Sequence, residues 1–510
     1  MRFVFHSEDS LPKLAWFAEI KRNDEQIHVY HGPNVETTDT FFVEGAWNGS
    51  FTEGNFANSS LLMGSGGRIT GTKAVFSTPS HAFEWLNMAR VGERLCISNS
   101  LVFLLQRCDL DLDLKYMYYI LDLRSIRSGL NHCIKSIPTT STNRIELLRF
   151  CNIEVDKDLR AKQREKIDTP KTSFSNFAAY RQFLVTELTE IHRNANADQR
   201  ATKYGLVSTI SSGYDSTACS VIARDVGNKT ALTFRNGKAP SGISSASDSG
   251  AAIAEKLGLR TTEFDLDAYR KIPGMPEAEF SAAGENMDIQ IASFEDHLCE
   301  KILVTGFRGG RVWDRLCKKP ARDHASGDAT GCSLGEFRLR VGSIHVPLPS
   351  FGFLNHPEIH QITQSEEMLP WTLFNPYDRP IPRRIVEEAG IDREAFGQQK
   401  NAAALAFDHL PPVRESARSF EAFWQRHKHE LSNRKQVLHN IIYSIFKPIR
   451  RFNEGAKRHQ LPTIPCPISV KYYDRMGKAS LLMQWGVEQI RDRYTIADLV
   501  RDGPNRQTSD

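Results

Sequence analysis

The stretch Thr209-Ile210-Ser211-Ser212-Gly213-Tyr214-Asp215-Ser216-Thr217 gathers hydroxyls, one glycine and one carboxylate in a composition suited to holding phosphate. Ser211, Ser216 and Thr217 offer hydroxyl donors to pyrophosphate oxygens, and Gly213 lets the amides of a tight turn approach an anion closely. Asp215 repels phosphate and therefore suits a Mg²⁺ ion bridging it. An apolar, β-branched run from Tyr204 to Ile210 precedes the turn, and Ala218 to Val226 follows it with helical spacing, stopping before Gly227. Strand, small-residue turn and helix in that order aim the turn's amides along the positive end of a helix dipole. Ser and Asp are also at home in a plain N-cap turn, which leaves that alternative open. The spacing of a Walker loop and its lysine are absent.

The stretch resembles the Ser-Gly-Gly-x-Asp-Ser loop of the ATP pyrophosphatase (PP-loop) superfamily, in its asparagine synthetase-like branch, with Ser212 in place of the first glycine. The resemblance runs over about residues 40 to 405. It implies ATP and Mg²⁺ as cofactors, with Ser211, Ser212, Gly213, Asp215 and Ser216 on the pyrophosphate and Asp215 on the metal. A second stretch, Thr305-Gly306-Phe307-Arg308-Gly309-Gly310-Arg311-Val312-Trp313-Asp314, stands where the family has a Ser/Thr-Gly-Asp-Gly-Gly-Asp-Glu type loop. Thr305 and Gly306 match its nucleotide-side start, but neutral and basic residues replace its acids. Three consequences stay open: Asp314 supplies a displaced second metal ligand, Arg308 and Arg311 neutralise pyrophosphate directly, or metal binding is weak and catalysis impaired. Within Ser333 to Arg340, Glu336 matches the family's general base for the attacking amine; a salt bridge to Arg338 or Arg340 is its structural alternative. Lys400, after Phe396-Gly397-Gln398-Gln399, matches a lysine that meets charge developing on the α-phosphate and leaving pyrophosphate; a solvated surface lysine is the alternative.

The elements that must position these residues follow from periodicity. Residues 1–155 alternate short β-rich runs (Phe3 to Phe5, Ile27 to Tyr30, Thr40 to Val43, Ile69 to Phe76, Leu95 to Ser98) with Gly, Asn and Ser turns. The segments Gly45 to Phe51 and Ile97 to Leu105 resemble the amino-terminal domain of the family, an Ntn-hydrolase-like glutaminase. Its nucleophile is a cysteine exposed by removal of the initiator Met; position 2 here is Arg2, so a degenerate scaffold is expected rather than a glutamine-hydrolysing site. Asp109-Leu110-Asp111-Leu112-Asp113 reads as an exposed strand edge or turn face, with a metal site as the alternative.

Residues 156–172, charged and containing Pro170, read as a linker. Phe174, Phe177, Leu184 and Leu188 give a lead-in helix to an α/β, parallel-sheet PP-loop ATP pyrophosphatase (HUP-like) domain over 173–410. Its strands are expected at Tyr204 to Ile210, Thr230 to Phe234, Thr261 to Phe264 and Ile302 to Thr305, with a helix from Ser247 to Leu257. Ligands bind beyond the carboxyl ends of such strands, where Phe234 is placed to border adenine and Asp248 to cap its helix. Lys318 to Gly331, with His324, reads as a loop over the site. Residues 411–500 read as a helical region and 501–510 as a disordered tail.

The formal charge of +4 over 510 residues argues for neither nucleic acid nor membrane. Met1 to Phe17 holds no apolar segment of signal-peptide length, no run is long enough to span a bilayer, and nine cysteines without Cys-x-x-Cys pairs fit a cytoplasmic protein. Cys219 and Cys299 are expected to pack. The reading is an AMP-forming ligase that adenylates a small-molecule or peptide carboxylate and transfers the acyl group to an amine or to ammonia, free or supplied by a partner. Two alternatives stand beside it: a non-catalytic nucleotide-binding relative, and an RNA-modifying adenylating enzyme suggested by the basic cluster Lys447, Arg450, Arg451, Lys457 and Arg458.

Overall fold

The protein is seen in a computed structural model that describes the chain except residues 167–173, 240–241, 318–319, 321–329, 399–404, 406–411, 432–448, 450–461, 463, 465–467 and 497–510. Lys400, His324, the basic cluster and the 501–510 tail lie outside the described residues. Among those residues no helix is long and apolar enough to cross a membrane.

Alternation of apolar and polar residues builds the first 165 residues into two stacked sheets. One is seven-stranded, in the order Arg2–Ser7, Gln26–His31, Trp16–Lys21, Arg94–Ser98, Leu86–Val91, Arg144–Leu148, Ser136–Pro138. The other is six-stranded, in the order Ala161–Glu165, Cys151–Val155, Lys73–Ser77, Leu62–Thr70, Phe41–Trp47, Glu36–Thr37. Trp16 joins them, edge-on to Phe42 at 5.0 Å and stacked on Phe76 at 6.1 Å, with its indole N–H donated to Ser65 Oγ at 3.0 Å. Arg2 is exposed at the start of an edge strand.

Several expectations change here. The run Ile69 to Phe76 is not one strand but a hairpin, broken at Gly71 whose φ of +59° suits only a residue without Cβ strain. Part of the expected linker, Ala161–Glu165, is an edge strand antiparallel to Cys151–Val155; its charged residues fit the exposed edge it occupies. The Asp109 to Asp113 segment is a turn face and not a strand edge: exposed Asp109 ends the Leu101–Cys108 helix in a left-handed conformation, Leu110 and Leu112 are buried, and Asp111 pairs with Arg491.

The second unit is a five-stranded parallel sheet in the order Arg260–Phe264, Thr230–Phe234, Gly205–Thr209, Lys301–Thr305, Ile344–Pro347. Numbered along the chain this is 3-2-1-4-5, so the winding direction reverses between Gly205–Thr209 and Lys301–Thr305. Both faces are covered, which explains its continuous apolar strands. Ile302 and Val304 pack with the helices Phe177–Ala195, Tyr214–Asp225 and Pro380–Glu388, whereas Leu303 packs with Phe280, Phe294 and Phe337 on the other side. The helical carboxyl-terminal region contributes Arg414–Leu431 and Ile468–Ile490; Trp485 and Ile490 of the latter share a core with Leu101, Phe103 and Tyr119 of the first unit.

Two buried polar joints hold the units together, both on the helix Gly335–Val341. Arg338 donates to Glu44 at 2.8 Å and also pairs with Glu84, with all three side chains buried. The Glu336 carboxylate accepts from Ser100 Oγ at 2.8 Å and from the Tyr494 hydroxyl. Burial pushes the Glu336 carboxyl above the usual carboxylate range, against the opposing effect of those two donors. A carboxyl raised on folding binds its proton more tightly in the native state, so its contribution is full below the unfolded glutamate value and is lost as pH rises through the folded one. Urea midpoints measured from about pH 4 to about pH 8 are therefore expected to fall more steeply with pH in the wild type than in Glu336→Gln, whose neutral amide does not titrate, accepts from one hydroxyl and donates its N–H to the other.

Candidate functional site

The reversal between the first and fourth strands opens a crevice at their carboxyl ends, and both glycine-containing turns lie there. After Gly205–Thr209 the chain turns through Ser211-Ser212-Gly213 into the helix Tyr214–Asp225; after Lys301–Thr305 it turns through Gly306-Phe307-Arg308 into a single helical turn, Gly309–Val312. Gly213 is the N-cap and has no side chain with which to cap the helix; a helix start of this kind suits an anion. Ser211 Oγ and Ser216 Oγ are 2.7 Å apart, and Gly213 N–H donates to Ser211 Oγ at 3.1 Å. Thr217 is fully buried; its hydroxyl lies 2.6 Å from the Ser211 carbonyl and 2.7 Å from that of Gly213, so it braces the turn rather than facing a ligand.

Segment 248–250 flanks the turn. Ser212 donates its amide to the Asp248 carbonyl at 3.0 Å and its hydroxyl to Asp248 Oδ1 at 2.6 Å. Asp248 therefore fixes the loop; it does not cap the following helix, which is shorter than expected, Ala251–Lys256, and starts from Gly250. On the opposite side, Gly397 N–H donates to the Ser212 carbonyl at 2.7 Å, bringing the stretch that leads to Lys400 onto the loop.

The two turns touch because the second lacks side chains at the contact. A Cβ on Gly306 would lie 2.5 Å from the Asp215 carbonyl carbon, and one on Gly309 would lie 2.5 Å from Asp215 Cγ. Into this junction comes a residue the sequence reading missed. Arg379, just before the helix Pro380–Glu388, forms an ion pair with Asp215, and a Cβ on Gly310 would stand 2.8 Å from its guanidinium. Burial works against the Arg379 charge, but Asp215, Tyr377 and Asp314 outweigh it and hold the pKa above the ordinary arginine value. Tyr377 lies beneath it at 4.8 Å and also 4.8 Å from the Tyr214 ring, which Arg383 anchors through a 2.5 Å bond to the Tyr214 hydroxyl. A signal for Arg379 existed in Tyr377-Asp378-Arg379-Pro380: proline at the first helical position puts the preceding arginine at the helix start.

The remaining expected residues divide. Thr305 is fully buried, its hydroxyl 2.9 Å from His345 Nε2, so only its backbone borders the crevice. The Phe234 ring is stacked on Phe294 at 4.6 Å in the core under the sheet, which sets it among packing residues. Asp314 accepts the Leu316 amide at 3.1 Å and lends negative charge to Arg379. Arg311 donates to Cys317 Sγ at 3.2 Å. Glu336 faces the other way, into a cavity of about 40 Å³ between the two units that Phe83, Trp85, Asn87, Leu101 and Cys332 also line. Arg308 packs over the Phe83 ring, its guanidinium carbon 5.3 Å from the centroid. Cys219 is buried as expected, but Cys299 is exposed and accepts from Lys13 Nζ at 2.9 Å.

Among the described residues no group of three His, Cys, Asp or Glu side chains is placed to hold a metal. Asp215, with hydroxyls beside it, fits a Mg²⁺ ion that arrives on phosphate oxygens, since such an ion commonly takes one or two carboxylates and completes its shell with phosphate and water. No protein-family model matches the chain, and no curated protein is a significant match to it.

The contact between the turns gives a direct test. Gly306→Ala should lower stability by about 1–3 kcal/mol in denaturant unfolding through overpacking, and it should part the turns. Gly335→Ala, where an added Cβ meets nothing within 4 Å, should leave stability nearly unchanged.

Proposed function

We propose that the protein is an ATP-dependent, AMP-forming ligase that adenylates a carboxylate and passes the acyl group to ammonia or an amine. One observation carries the reading: a helix start with glycine at its N-cap, its hydroxyl-bearing turn and the Asp215–Arg379 pair meet at the winding reversal of a parallel sheet. The strand order suits a HUP-like PP-loop domain, and the two-sheet unit suits a degenerate Ntn-hydrolase-like domain, as the resemblance to asparagine synthetase-like proteins implies.

In this reading the triphosphate lies along the first turn. Amides at the start of Tyr214–Asp225 and the hydroxyls of Ser211 and Ser216 take the β- and γ-phosphate oxygens. Asp215 would hold a Mg²⁺ ion, which would shield phosphate charge. Arg379 stands beside Asp215 as a fixed fork of donors. As the substrate carboxylate attacks the α-phosphorus and the bond to the bridging oxygen breaks, negative charge builds on the departing pyrophosphate, and a preorganised guanidinium stabilises it without reorganising. Adenylation turns a poor oxygen leaving group into AMP; the amine then attacks the acyl carbon. Arg379 supplies fixed positive charge of the kind that the sequence suggested for Lys400, itself outside the described residues.

Incubation of the wild type with ATP, ammonium and a panel of amino acids and small carboxylates should yield AMP and pyrophosphate in equal amounts for some member of the panel. Arg379→Ala should slow that release by about a hundredfold or more. ADP and orthophosphate as products, or no turnover with any carboxylate although ATP binds, would overturn the ligase reading and favour a nucleotide-binding protein without catalysis.

A further inference from the structure

Arg308 is 6% exposed, and none of its three guanidinium nitrogens has a hydrogen-bond partner among the described residues. A buried guanidinium left in that condition is costly, because its hydration is lost and nothing replaces it. The acid whose charge it feels, Glu285, is already taken by Arg124 at 2.7 Å. The backbone is held in an unusual state as well: Arg308 has φ +70° and ψ −5°, a left-handed conformation that a glycine would adopt without strain. This conformation leads the strand Lys301–Thr305 into the Gly309–Val312 turn and sets the side chain against Phe83 of the first unit. Strained, buried and unpaired polar groups cluster where a ligand completes the set.

The two arginines at the crevice serve different neighbours. Arg379 is surrounded by Asp215, Asp314 and Tyr377, on the side of the phosphate turn. Arg308 has Phe83 and Glu285 about it, and Phe83 also lines the cavity between the units. A single phosphate chain held by the turn and Arg379 leaves the Arg308 side to the second substrate.

We propose that Arg308 binds an oxyanion group of the second substrate, a carboxylate or phosphate separate from the carboxylate that reacts, and so sets substrate specificity. The role as substrate rests on the ligase reading; the anion site itself rests on the surroundings of Arg308. The reacting carboxylate is the poorer match, since a bidentate guanidinium pair would occupy the lone pairs that must attack phosphorus. Arg308 is thus a positioning and selecting residue, with Phe83 as the flat surface on which its guanidinium lies.

The test is isothermal titration of the full-length wild type, Arg308→Gln and Arg308→Lys with succinate, glutarate, phosphoglycolate, butyrate and ATP. At least one of succinate, glutarate and phosphoglycolate, each carrying two anionic groups, should bind the wild type saturably and bind Arg308→Gln about tenfold or more weakly. Arg308→Lys, which keeps the charge but not the fork, should fall between. Butyrate should not bind, and ATP should bind the wild type and Arg308→Gln alike. Comparison of succinate and glutarate with phosphoglycolate tells a carboxylate site from a phosphate site. Both variants should melt close to the wild type, because among the described residues no group loses a hydrogen bond to Arg308. Failure of all three of these anions to bind, binding of them that survives in Arg308→Gln, or butyrate binding equal to succinate would overturn the proposal. Binding of these anions lost in Arg308→Gln together with no ATP binding by the wild type would uphold the anion site and remove the ligase reading instead.

Discussion

The Asp215–Arg379 ion pair is the constraint around which the crevice is built. A carboxylate at the start of the helix Tyr214–Asp225 is held by a cation beside it, and a mostly buried arginine needs a carboxylate; each makes the other tolerable at the carboxyl end of the sheet. Three glycines of the second turn follow from the pair. Gly306 and Gly309 give Asp215 and its backbone room, and Gly310 gives Arg379 room. The tilted ring contact of Tyr377 with Tyr214, with Arg383 behind it, then fixes the helix that delivers Arg379. With the pair formed, the turn is close to neutral before any ligand arrives, and Arg308 adds positive charge at the far side of the crevice.

The first unit acts on this crevice from behind. Arg338 locks Glu44 and Glu84 of the two-sheet unit to the helix Gly335–Val341, and that helix leads directly into the last parallel strand. Breaking such a buried set by removing one partner leaves an uncompensated charge, so the joint resists sliding of one unit over the other. The same joint sets Phe83 under Arg308 and leaves the small cavity beside Glu336. The first unit in this way supplies the aromatic ring beneath Arg308 and part of the wall of that cavity.

Much of the frame was legible from local pattern. The Gly205–Thr209 strand, the turn after it and the helix that follows are set by residues adjacent in sequence, and the alternation of strands and helices from Thr230 to Thr305 fixes a parallel sheet. What escaped was long-range. Arg379 reaches Asp215 across 164 residues, and local spacing carries no trace of that pairing. Phe234 ends a strand on the right rim, but alternation along a doubly covered sheet turned its ring into the core. Asp248 had the composition of a helix cap, and a hydroxyl from a neighbouring turn claimed it. Ala161–Glu165 looked like linker because an exposed edge strand carries the same charged residues as a linker.

The central claim is that a nucleotide's phosphates lie between the two turns against the Asp215–Arg379 pair. Calorimetric titration of ATP, with and without Mg²⁺, into the wild type, Asp215→Ala and Arg379→Ala tests it most directly. The predicted result is saturable binding by the wild type, strengthened by Mg²⁺, with the Mg²⁺ effect lost in Asp215→Ala and binding weakened under both conditions in Arg379→Ala. Binding that is the same in all three proteins, or no binding by the wild type, would contradict it.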